Sequence, residues 1–234
     1  MKYKNRNIAY QQCTRCVMDT SDPLIQFDKD GVCNLCTDFI NNRKQVIKSS
    51  PNSNTALDDL FKTVKAKSTN RKYDCIIGMS GGVDSSYLAV LASKYKLRIL
   101  AVHMDNGWNS PVSVENIKRV VEKIGCDYAS YVLPWKDFKK VQLAFLKASV
   151  PEAETPTDVA IAKATHFYAL KTGTKFILSG GNVASEGILP MSWHYNARDT
   201  IYSHSILRAF GSSPKEFKTQ RFGFLEEFYC KFIR

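Results

Sequence analysis

Residues 74–86 read Asp74-Cys75-Ile76-Ile77-Gly78-Met79-Ser80-Gly81-Gly82-Val83-Asp84-Ser85-Ser86, a short apolar run followed by a glycine-rich turn and a helical pattern. This order predicts a strand, a loop and a helix in direct succession. Gly81 and Gly82 have no Cβ atom, so the loop backbone can adopt positive φ and turn its N–H groups toward a ligand. A helix that begins near Val83 adds unpaired N–H groups and the positive end of its dipole. The stretch therefore favours a bound anion.

The polar side chains of the same stretch indicate a polyphosphate. Ser80, Ser85 and Ser86 offer hydroxyl groups to phosphate oxygens. Asp84 is negative, and a carboxylate beside a phosphate is repelled unless a cation lies between them, so it predicts a bridging Mg²⁺ ion. The stretch is not a Walker A loop, because it lacks the G-x-x-x-x-G-K-[ST] spacing and has no lysine in the turn. The alternative is a tight strand-to-helix turn without a ligand.

The string Ser80-Gly81-Gly82-Val83-Asp84-Ser85 resembles the PP-loop of ATP pyrophosphatases. The resemblance implies a parallel-sheet α/β domain of the adenine nucleotide alpha hydrolase-like fold, which cleaves ATP between its α and β phosphates. A substrate oxygen is then adenylated and pyrophosphate is released, with catalytic roles for Ser80, Asp84 and Ser85. The implied ATP-binding residues are Gly78, Ser80, Gly81, Gly82, Val83, Asp84, Ser85, Ser86, Val102, His103, Met104, Asp105, Gly180, Gly181 and Asn182.

Strand and helix patterns alternate around this loop. A helix is predicted from Thr55, with Leu57, Leu60, Phe61 and Val64 in the core, and another from Val83 to about Tyr95, with Tyr87, Leu88, Val90, Leu91 and Ala92 in the core. Further helices are predicted at residues 113–124, 136–147 and from Thr157 or Asp158 to about Lys171, and further strands at 97–104, 128–133 and 175–179.

The ends of the predicted strands should form one crevice. Ligands of open α/β sheets lie beyond the carboxyl ends of the strands, so residues 103–105 should face the loop. In PP-loop enzymes the corresponding strand end holds adenine through main-chain groups, which the resemblance assigns to Val102 to Asp105. His103 has a purely structural alternative, and capping is favoured over substrate contact for Thr155, Thr157 and Asp158.

A second glycine turn, Gly180-Gly181-Asn182, follows the last predicted strand and leads to Glu186. Glu186 could share a Mg²⁺ ion with Asp84, since two carboxylates and phosphate oxygens suit a hard octahedral cation. NAD synthetases and related PP-loop amidating enzymes carry a roughly similar turn with a nearby carboxylate. The alternative for Glu186 is a solvated side chain.

Two C-x-x-C pairs, Cys13/Cys16 and Cys33/Cys36, are separated by sixteen residues near the N-terminus. Four thiolates at this spacing complete a closed tetrahedral shell, which predicts a structural zinc site in a small zinc-ribbon-like module. A turn at residues 28–31 should join the two pairs in a hairpin. An iron–sulfur cluster and redox disulfides are the alternatives. The predicted domains are this module, residues 1–50, with a linker over 44–54, and a PP-loop domain with a C-terminal helical part, residues 55–234.

Composition sets the class of protein. The chain has 234 residues, 44% of them hydrophobic and 24% charged, and a formal net charge of +11. No run of ~18 apolar residues and no secretory signal is present, so a cytoplasmic protein without membrane association is expected. The positive charge raises the local concentration of anions such as ATP, a nucleotide-linked sugar, RNA or an acidic protein. A solvated basic surface without a specific partner is an equal alternative.

The cysteine-rich start (residues 13–20 and 27–36) together with the loop at 80–86 resembles the N-acetyl sugar amidotransferase family of PP-loop ATP pyrophosphatases. That family acts in the biosynthesis of bacterial surface polysaccharides, including lipopolysaccharide. The resemblance implies adenylation of the N-acetyl carbonyl oxygen of a nucleotide-linked sugar, followed by attack of ammonia to give an acetamidino group. Members are usually longer, which leaves open whether the substrate site is complete in this chain.

The source of ammonia and two other functions stay open at this stage. No segment remains for a glutaminase domain, so a separate glutaminase partner is expected to supply ammonia. The first alternative function is a tRNA-modifying PP-loop enzyme, which would add nucleic acid as a partner. The second is a catalytically idle nucleotide-binding module, against which Ser80, Asp84 and Glu186 argue.

Overall fold

The computed structural model describes residues 9–49, 53–181, 190 and 200–210. Residues 9–49 belong to one compact unit, and residues 54–181 and 200–210 to a second. The helices are α1 (Asn34–Ser49), α2 (Ser53–Ala66), α3 (Val83–Lys94), α4 (Pro111–Ile124), α5 (Trp135–Ala148), α6 (Thr155–Thr172) and α7 (Thr200–Ala209). The strands are β1 (Cys75–Gly78), β2 (Ile99–Asp105), β3 (Asp127–Val132) and β4 (Ile177–Leu178). None of the described helices is long and apolar enough to cross a membrane.

The second unit contains a four-stranded sheet with the strand order β3-β2-β1-β4. All its strand pairs are parallel, which confirms the predicted α/β class with a parallel sheet. Parallel neighbours need crossover connections, and α3, α4, α5 and α6 supply them. The strand order reverses beside β1, because β2 and β3 extend the sheet on one side and β4 on the other. The loop after β1 therefore lies where open α/β sheets bind ligands.

Both faces of the sheet are buried, as expected for parallel strands covered by helices. Ile77 packs with α3 and with Ile117 of α4, whereas its neighbour Ile76 packs on the opposite face with Ala164 of α6. Both isoleucines are fully buried, and each such side chain contributes about 1.5–3 kcal/mol to stability. The two faces together hold β1, and with it the start of the glycine-rich loop, in a fixed position.

Most predicted elements lie close to their observed positions, and four differ. β4 spans two residues, not residues 175–179, and pairs only with β1 among the described strands. α6 begins at Thr155, so Thr157 and Asp158 lie within its first turn and do not cap it; a proline in that turn is compatible with a helix start. α2 begins at Ser53, before Thr55. Residues 44–49, predicted as linker, continue α1 because no glycine or proline interrupts them.

Two side chains assigned to the core are exposed. Leu60 of α2 is 48% exposed and Tyr87 of α3 is 64% exposed, whereas Phe61 and Ala89 beside them are buried. A helix contacts its neighbours along one stripe only, and the apolar positions of α2 and α3 are wider than that stripe. The prediction of a broad core face was therefore wrong at these two positions.

Asp74 and Arg98 tie the start of β1 to the start of β2. The buried Asp74 carboxylate accepts hydrogen bonds from the Arg98 main-chain N (2.7 Å), Nε (3.2 Å) and Nη2 (2.5 Å). Arg98 also donates to the carbonyl oxygens of Ser68 (2.8 Å) and Arg71 (2.6 Å). Burial acts to raise the pKa of Asp74, but the hydrogen bonds and charge of Arg98 outweigh it and lower the pKa.

Asp74→Asn should lower the free energy of unfolding by about 2–3 kcal/mol at neutral pH, between the values for exposed and fully buried pairs. The folded-state pKa of Asp74 lies below its unfolded value, so its stabilisation is present at neutral pH and is lost as pH falls through the folded pKa. Urea melts from about pH 7 to pH 3 should therefore show the wild type and the variant converging in acid. Glu115→Gln, at an exposed pair with Arg119, is the matched control and should change little. A gap that stays constant down to pH 3 would contradict the role of the ionised carboxylate.

The first unit turns sharply between its two cysteine pairs, as predicted. Phe27 and Cys33 form an antiparallel bridge, and the Asp28 carboxylate accepts the N–H groups of Asp30 and Val32 at 2.9 Å. Gly31 closes the turn with φ +74°, and a Cβ atom there would lie 2.9 Å from a Thr14 methyl group. The turn brings the second cysteine pair back to the first.

Candidate functional site

The glycine-rich loop leaves β1 in a defined conformation. Met79 is buried, and its N–H donates to the carbonyl oxygen of Val102 at 2.8 Å. Gly81 then adopts φ +79°. Gly82 is the N-cap of α3, and no side chain caps the helix. The first N–H groups of α3 therefore lack a side-chain acceptor and can bind an anion.

Two loop hydroxyls predicted to be catalytic lie side by side. The Oγ atoms of Ser80 and Ser85 are 3.1 Å apart. Ser85 Oγ accepts the N–H of Ser80 (3.3 Å) and donates to the carbonyl of Gly82 (3.2 Å), while Ser80 Oγ accepts the N–H of Gly82 (3.3 Å). Asp84 lies in the first turn of α3, where the helix dipole stabilises a carboxylate. Its side chain is exposed, so a cation can approach it from the solvent. This arrangement can present N–H groups, hydroxyls and one carboxylate to a phosphate–metal pair.

Helix α4 packs directly against the loop at Gly81. A Cβ atom on Gly81 would lie 2.3 Å from the carbonyl oxygen of Ser113, so only glycine fits. The Asn116 amide donates to the carbonyl of Gly81 at 3.1 Å. Asn116 was not identified from the sequence, because a lone asparagine on an amphipathic helix carries no signal of a contact with a loop 35 residues away.

A cavity of about 620 Å³ opens beside the loop. Gly78, Ser80 and Gly180 line it at the strand ends, and one face of α6 lines the opposite side. That face includes Asp158, Ala162, Thr165 and His166, at helical spacing. Partial burial and the carboxylates of Glu152 and Glu154 raise the pKa of Asp158. Sequence reasoning favoured capping for Thr157 and Asp158 and missed the rest of this face, whose mixed composition resembles that of any half-buried helix.

β2 extends past its last described pair with β1, Gly78 with Val102, so its end presents main-chain groups to the cavity. The carbonyl of Val102 accepts the Met79 N–H and so points toward β1, whereas the carbonyl of Asp105 accepts the Leu133 N–H (2.8 Å) and points toward β3. Alternation along the strand directs the N–H and C=O of Met104 toward β1, which has already ended. Met104 lines the cavity, and its main chain can pair with the edge of a base.

The side chains on either side of Met104 have structural partners. The imidazole Nδ1 of His103 lies 2.8 Å from the carbonyl oxygen of Met79. The Asp105 carboxylate accepts the N–H of Gly107 (2.9 Å) and the amide of Asn109 (2.7 Å), so it shapes the turn after β2. The cavity lining includes Val102, His103 and Met104 but not Asp105.

The second glycine turn approaches the first. A Cβ atom on Gly180 would lie 3.2 Å from the carbonyl oxygen of Asp84, so the chain after β4 packs against the first turn of α3. Gly181 follows and is exposed. Asn182 and Glu186 lie outside the described residues.

The four N-terminal cysteines form a compact cluster. The Sγ atoms of Cys13, Cys16, Cys33 and Cys36 all lie within 4.8 Å of one another, and those of Cys16 and Cys33 are 3.7 Å apart. A tetrahedral ion with metal–sulfur bonds of about 2.3 Å separates its ligands by about 3.8 Å. A four-iron cluster binds each thiolate to a different iron and spreads the sulfurs further. The cluster therefore fits one tetrahedral metal ion.

The thiols of the cluster differ in acidity. Burial raises the pKa of Cys33 and of Cys36. Burial also acts on Cys13, but N–H groups that point at its sulfur, from Arg15 at 3.4 Å and Cys33 at 3.2 Å, outweigh it and lower its pKa to about 6. The N–H groups that point at the Cys13 sulfur also suit a thiolate ligand of a metal ion at this position.

The chain matches one family of known proteins over most of its length and a tRNA-modifying enzyme over a shorter stretch. Residues 23–165, more than half of the chain, match the family model described as NAD synthase. Over 87 residues the chain is 33% identical to tRNA-specific 2-thiouridylase MnmA of Lactobacillus delbrueckii subsp. bulgaricus. That match covers 33% of this chain and 23% of the thiouridylase, so it spans about a quarter of the relative's length.

Among solved structures, the chain is similar to an NAD synthetase and to a tRNA thiolase. The NH3-dependent NAD synthetase from Campylobacter jejuni has a TM-score of 0.45 and 15% identity, over 73% of this chain and 79% of that one. The U34-tRNA thiolase NcsA from Methanococcus maripaludis, solved with its [4Fe-4S] cluster, has a TM-score of 0.40 and 17% identity, over 75% of this chain and 56% of that one. Because the family match spans the glycine-rich loop and most of the sheet, the chain belongs to the NAD synthase family and is a PP-loop enzyme of the ATP-pyrophosphatase ligase type.

Proposed function

We propose that this enzyme is an ATP-dependent amidotransferase that converts the N-acetyl group of a nucleotide-linked sugar into an acetamidino group. The proposal rests on the loop Ser80 to Ser85 combined with the paired cysteines, which resemble the sugar amidotransferases. The observation that carries the choice of nitrogen over sulfur is the cavity, whose described lining contains no cysteine. Ammonia needs no protein nucleophile, whereas sulfur transfer through a protein persulfide needs a reactive thiol.

The described cysteines outside the N-terminal cluster are poorly suited to sulfur transfer. Cys75 is fully buried within β1, and burial raises its pKa to about 12. Burial also raises the pKa of Cys126, which packs against the same core. Thiols of this kind stay protonated at neutral pH and behave as small apolar side chains.

ATP would span the cavity and the loop. The main-chain N–H and C=O of Met104 would pair with the adenine edge, and the N–H groups at the start of α3 would bind phosphate oxygens. Asp84, an exposed carboxylate at that helix start, fits a Mg²⁺ ion, which would neutralise phosphate charge. Glu186 remains a proposed second ligand of this ion.

The chemistry runs in two displacements. The N-acetyl carbonyl oxygen attacks the α-phosphorus of ATP, the α–β bridging bond breaks, and pyrophosphate leaves. Ammonia then attacks the activated carbon, AMP departs with the former carbonyl oxygen, and loss of a proton leaves the amidine. The amide oxygen is a poor nucleophile, so the protein must supply positioning and stabilisation of phosphate charge, which the loop N–H groups and hydroxyls can provide.

Asp84→Asn should reduce pyrophosphate release about 10- to 100-fold and raise the Mg²⁺ concentration needed for half-maximal rate, because one anionic metal ligand is lost. The assay measures pyrophosphate from ATP with ammonium and a panel of nucleotide-linked N-acetyl sugars. Asp137→Asn, in the first turn of α5, controls for loss of a carboxylate at a helix start. Release that is driven by no sugar in the panel would overturn the proposed substrate class.

A tRNA-modifying enzyme is the second candidate, favoured by the partial identity to the thiouridylase and by the charge of +11. It predicts pyrophosphate release with bulk tRNA and not with sugars. It also predicts affinity for tRNA that falls steeply with salt. The same assay with tRNA in place of sugar therefore separates the two functions.

We further propose that a separate glutaminase delivers the ammonia. Purified enzyme should then turn over repeatedly with ammonium salts but, with glutamine as the nitrogen source, release no more than one pyrophosphate per enzyme molecule, because the adenylated sugar is not consumed. Full activity of the purified chain on glutamine would contradict this partner.

A further inference from the structure

We propose that His103 and Asn116 are positioning residues of the phosphate loop, which hold two of its carbonyl groups and thereby aim the N–H groups of Ser80 and Gly82. The inference rests on the proposed use of the loop for ATP and adds two residues, from outside the loop, that set its geometry. His103 comes from the neighbouring strand β2 and Asn116 from helix α4, so the loop is held from two separate elements.

The contact from His103 fixes the tautomer of its ring. Nδ1 lies 2.8 Å from the Met79 carbonyl oxygen, which can only accept, so Nδ1 carries the proton and donates. Nε2 is buried without a hydrogen-bond partner among the described residues. A buried polar atom without a partner is unfavourable, and an apolar side chain would avoid it. The hydrogen bond from Nδ1 to the Met79 carbonyl oxygen therefore explains why a histidine occupies this position.

The contact from Asn116 acts two peptides further along the loop. Its Nδ2 donates to the carbonyl oxygen of Gly81 at 3.1 Å. The helix that carries it is firmly started, because Ser110 Oγ accepts the N–H of Ser113 at 3.1 Å and Pro111 occupies the first turn. Gly81 also packs against the Ser113 backbone. Helix α4 therefore fixes both the position and the orientation of this peptide.

Because each peptide unit is planar, a contact that holds its carbonyl group also fixes the direction of its N–H group. The carbonyl of Met79 and the N–H of Ser80 belong to one rigid unit and point in opposite directions, as do the carbonyl of Gly81 and the N–H of Gly82. Those two N–H groups are the ones that contact the hydroxyls of Ser85 and Ser80, each at 3.3 Å. Holding the carbonyls from outside thus sets the N–H groups and the catalytic hydroxyls as one array.

The test removes the hydrogen-bond donors of His103 and Asn116 by substitution, and for His103 a second substitution restores the donor. Asn places an amide nitrogen where the His Nδ1 lies, whereas Gln reaches the Nε2 position. His103→Gln, Asn116→Ala and Asn116→Asp should raise KM for ATP and lower kcat, together about 5- to 10-fold in kcat/KM per lost hydrogen bond. His103→Asn should recover most of the loss. KM for ammonium and for the acceptor should stay unchanged, and Glu115→Gln, at an exposed pair beside Asn116, is the control.

A second measurement separates this inference from the proposed function. Binding of α,β-methylene-ATP with Mg²⁺, followed by calorimetry, should weaken in the same variants while thermal unfolding shows them folded. Weakened binding in the absence of turnover with any acceptor would support the positioning role and overturn the proposed substrate. Unchanged nucleotide binding and kcat/KM in folded variants would overturn the positioning role, as would equal losses in His103→Asn and His103→Gln.

Discussion

Gly81→Ala is expected to abolish ATP-dependent pyrophosphate release, with a loss of at least ~100-fold. Gly81 has φ +79°, and a Cβ atom there would lie 2.3 Å from the carbonyl oxygen and 2.8 Å from the Cα atom of Ser113. These are main-chain atoms at the start of α4, which cannot move aside as a side chain can. The loop must shift instead, and a displacement of about 1 Å at reacting groups costs about 100-fold in rate.

Gly125→Ala is the control that separates the effect of backbone strain from the effect of a steric clash. Gly125 also has positive φ, +64°, but nothing lies within 4 Å of a Cβ atom placed there. The change should cost about 1–2 kcal/mol, seen as a small decrease in Tm, and leave pyrophosphate release intact. Steady-state kinetics and thermal unfolding of both variants decide the matter. Comparable activity in the two variants would mean that the contact with α4 does not constrain the loop.

Loss of the metal is expected to unfold the cysteine module. The one buried apolar cluster described in this unit consists of Cys13, Cys33, Cys36 and Met18, with Cys16 and four other half-buried side chains packed against it, so its core is small. Metal binding in such modules contributes about 10–16 kcal/mol to folding. Elemental analysis should find one zinc ion per chain, and Cys33→Ser or a strong chelator should release it. Hydrogen exchange over residues 9–36 should then become fast.

Cys126→Ser is the matched control, because Cys126 is a half-buried thiol in the other unit. It should keep the full zinc content. Iron with sulfide in place of zinc would contradict the assignment of a mononuclear site. Retention of metal by Cys33→Ser would show that the cysteines do not form the tetrahedral site.

The strand–loop–helix unit could be predicted because its signals are local. Ile76 and Ile77 define the strand, and the two glycines and Asp84 define the loop within a few positions. The cysteine spacing was equally informative, since the C-x-x-C pairs predict their own geometry and the turn at residues 28–31 confirms how they meet. In both cases the residues that determine the structure are neighbours in sequence.

Contacts between distant elements could not be predicted in the same way. Asn116 meets the loop across 35 residues of sequence, and nothing local distinguishes it from other polar residues. His103 was expected to face the loop from the end of its strand, but the contact of its ring with the Met79 carbonyl, 24 residues away, was not predicted. The face of α6 that lines the cavity depends on how the helix is rotated over the sheet. Asp105 looked like a ligand-facing residue at a strand end, yet its carboxylate is used by the turn that follows.

The two sides of the cavity have different origins in the chain. The side that would handle the nucleotide comes from the ends of β1, β2 and β4 and from the loop after β1, and α6 forms the facing side. Ala164 of α6 packs on the fully buried Ile76, so exchange of the whole helix would also disturb β1 and the loop that follows it. We expect only side chains that line the cavity, such as Asp158 and His166, to be open to substitution while ATP cleavage is kept.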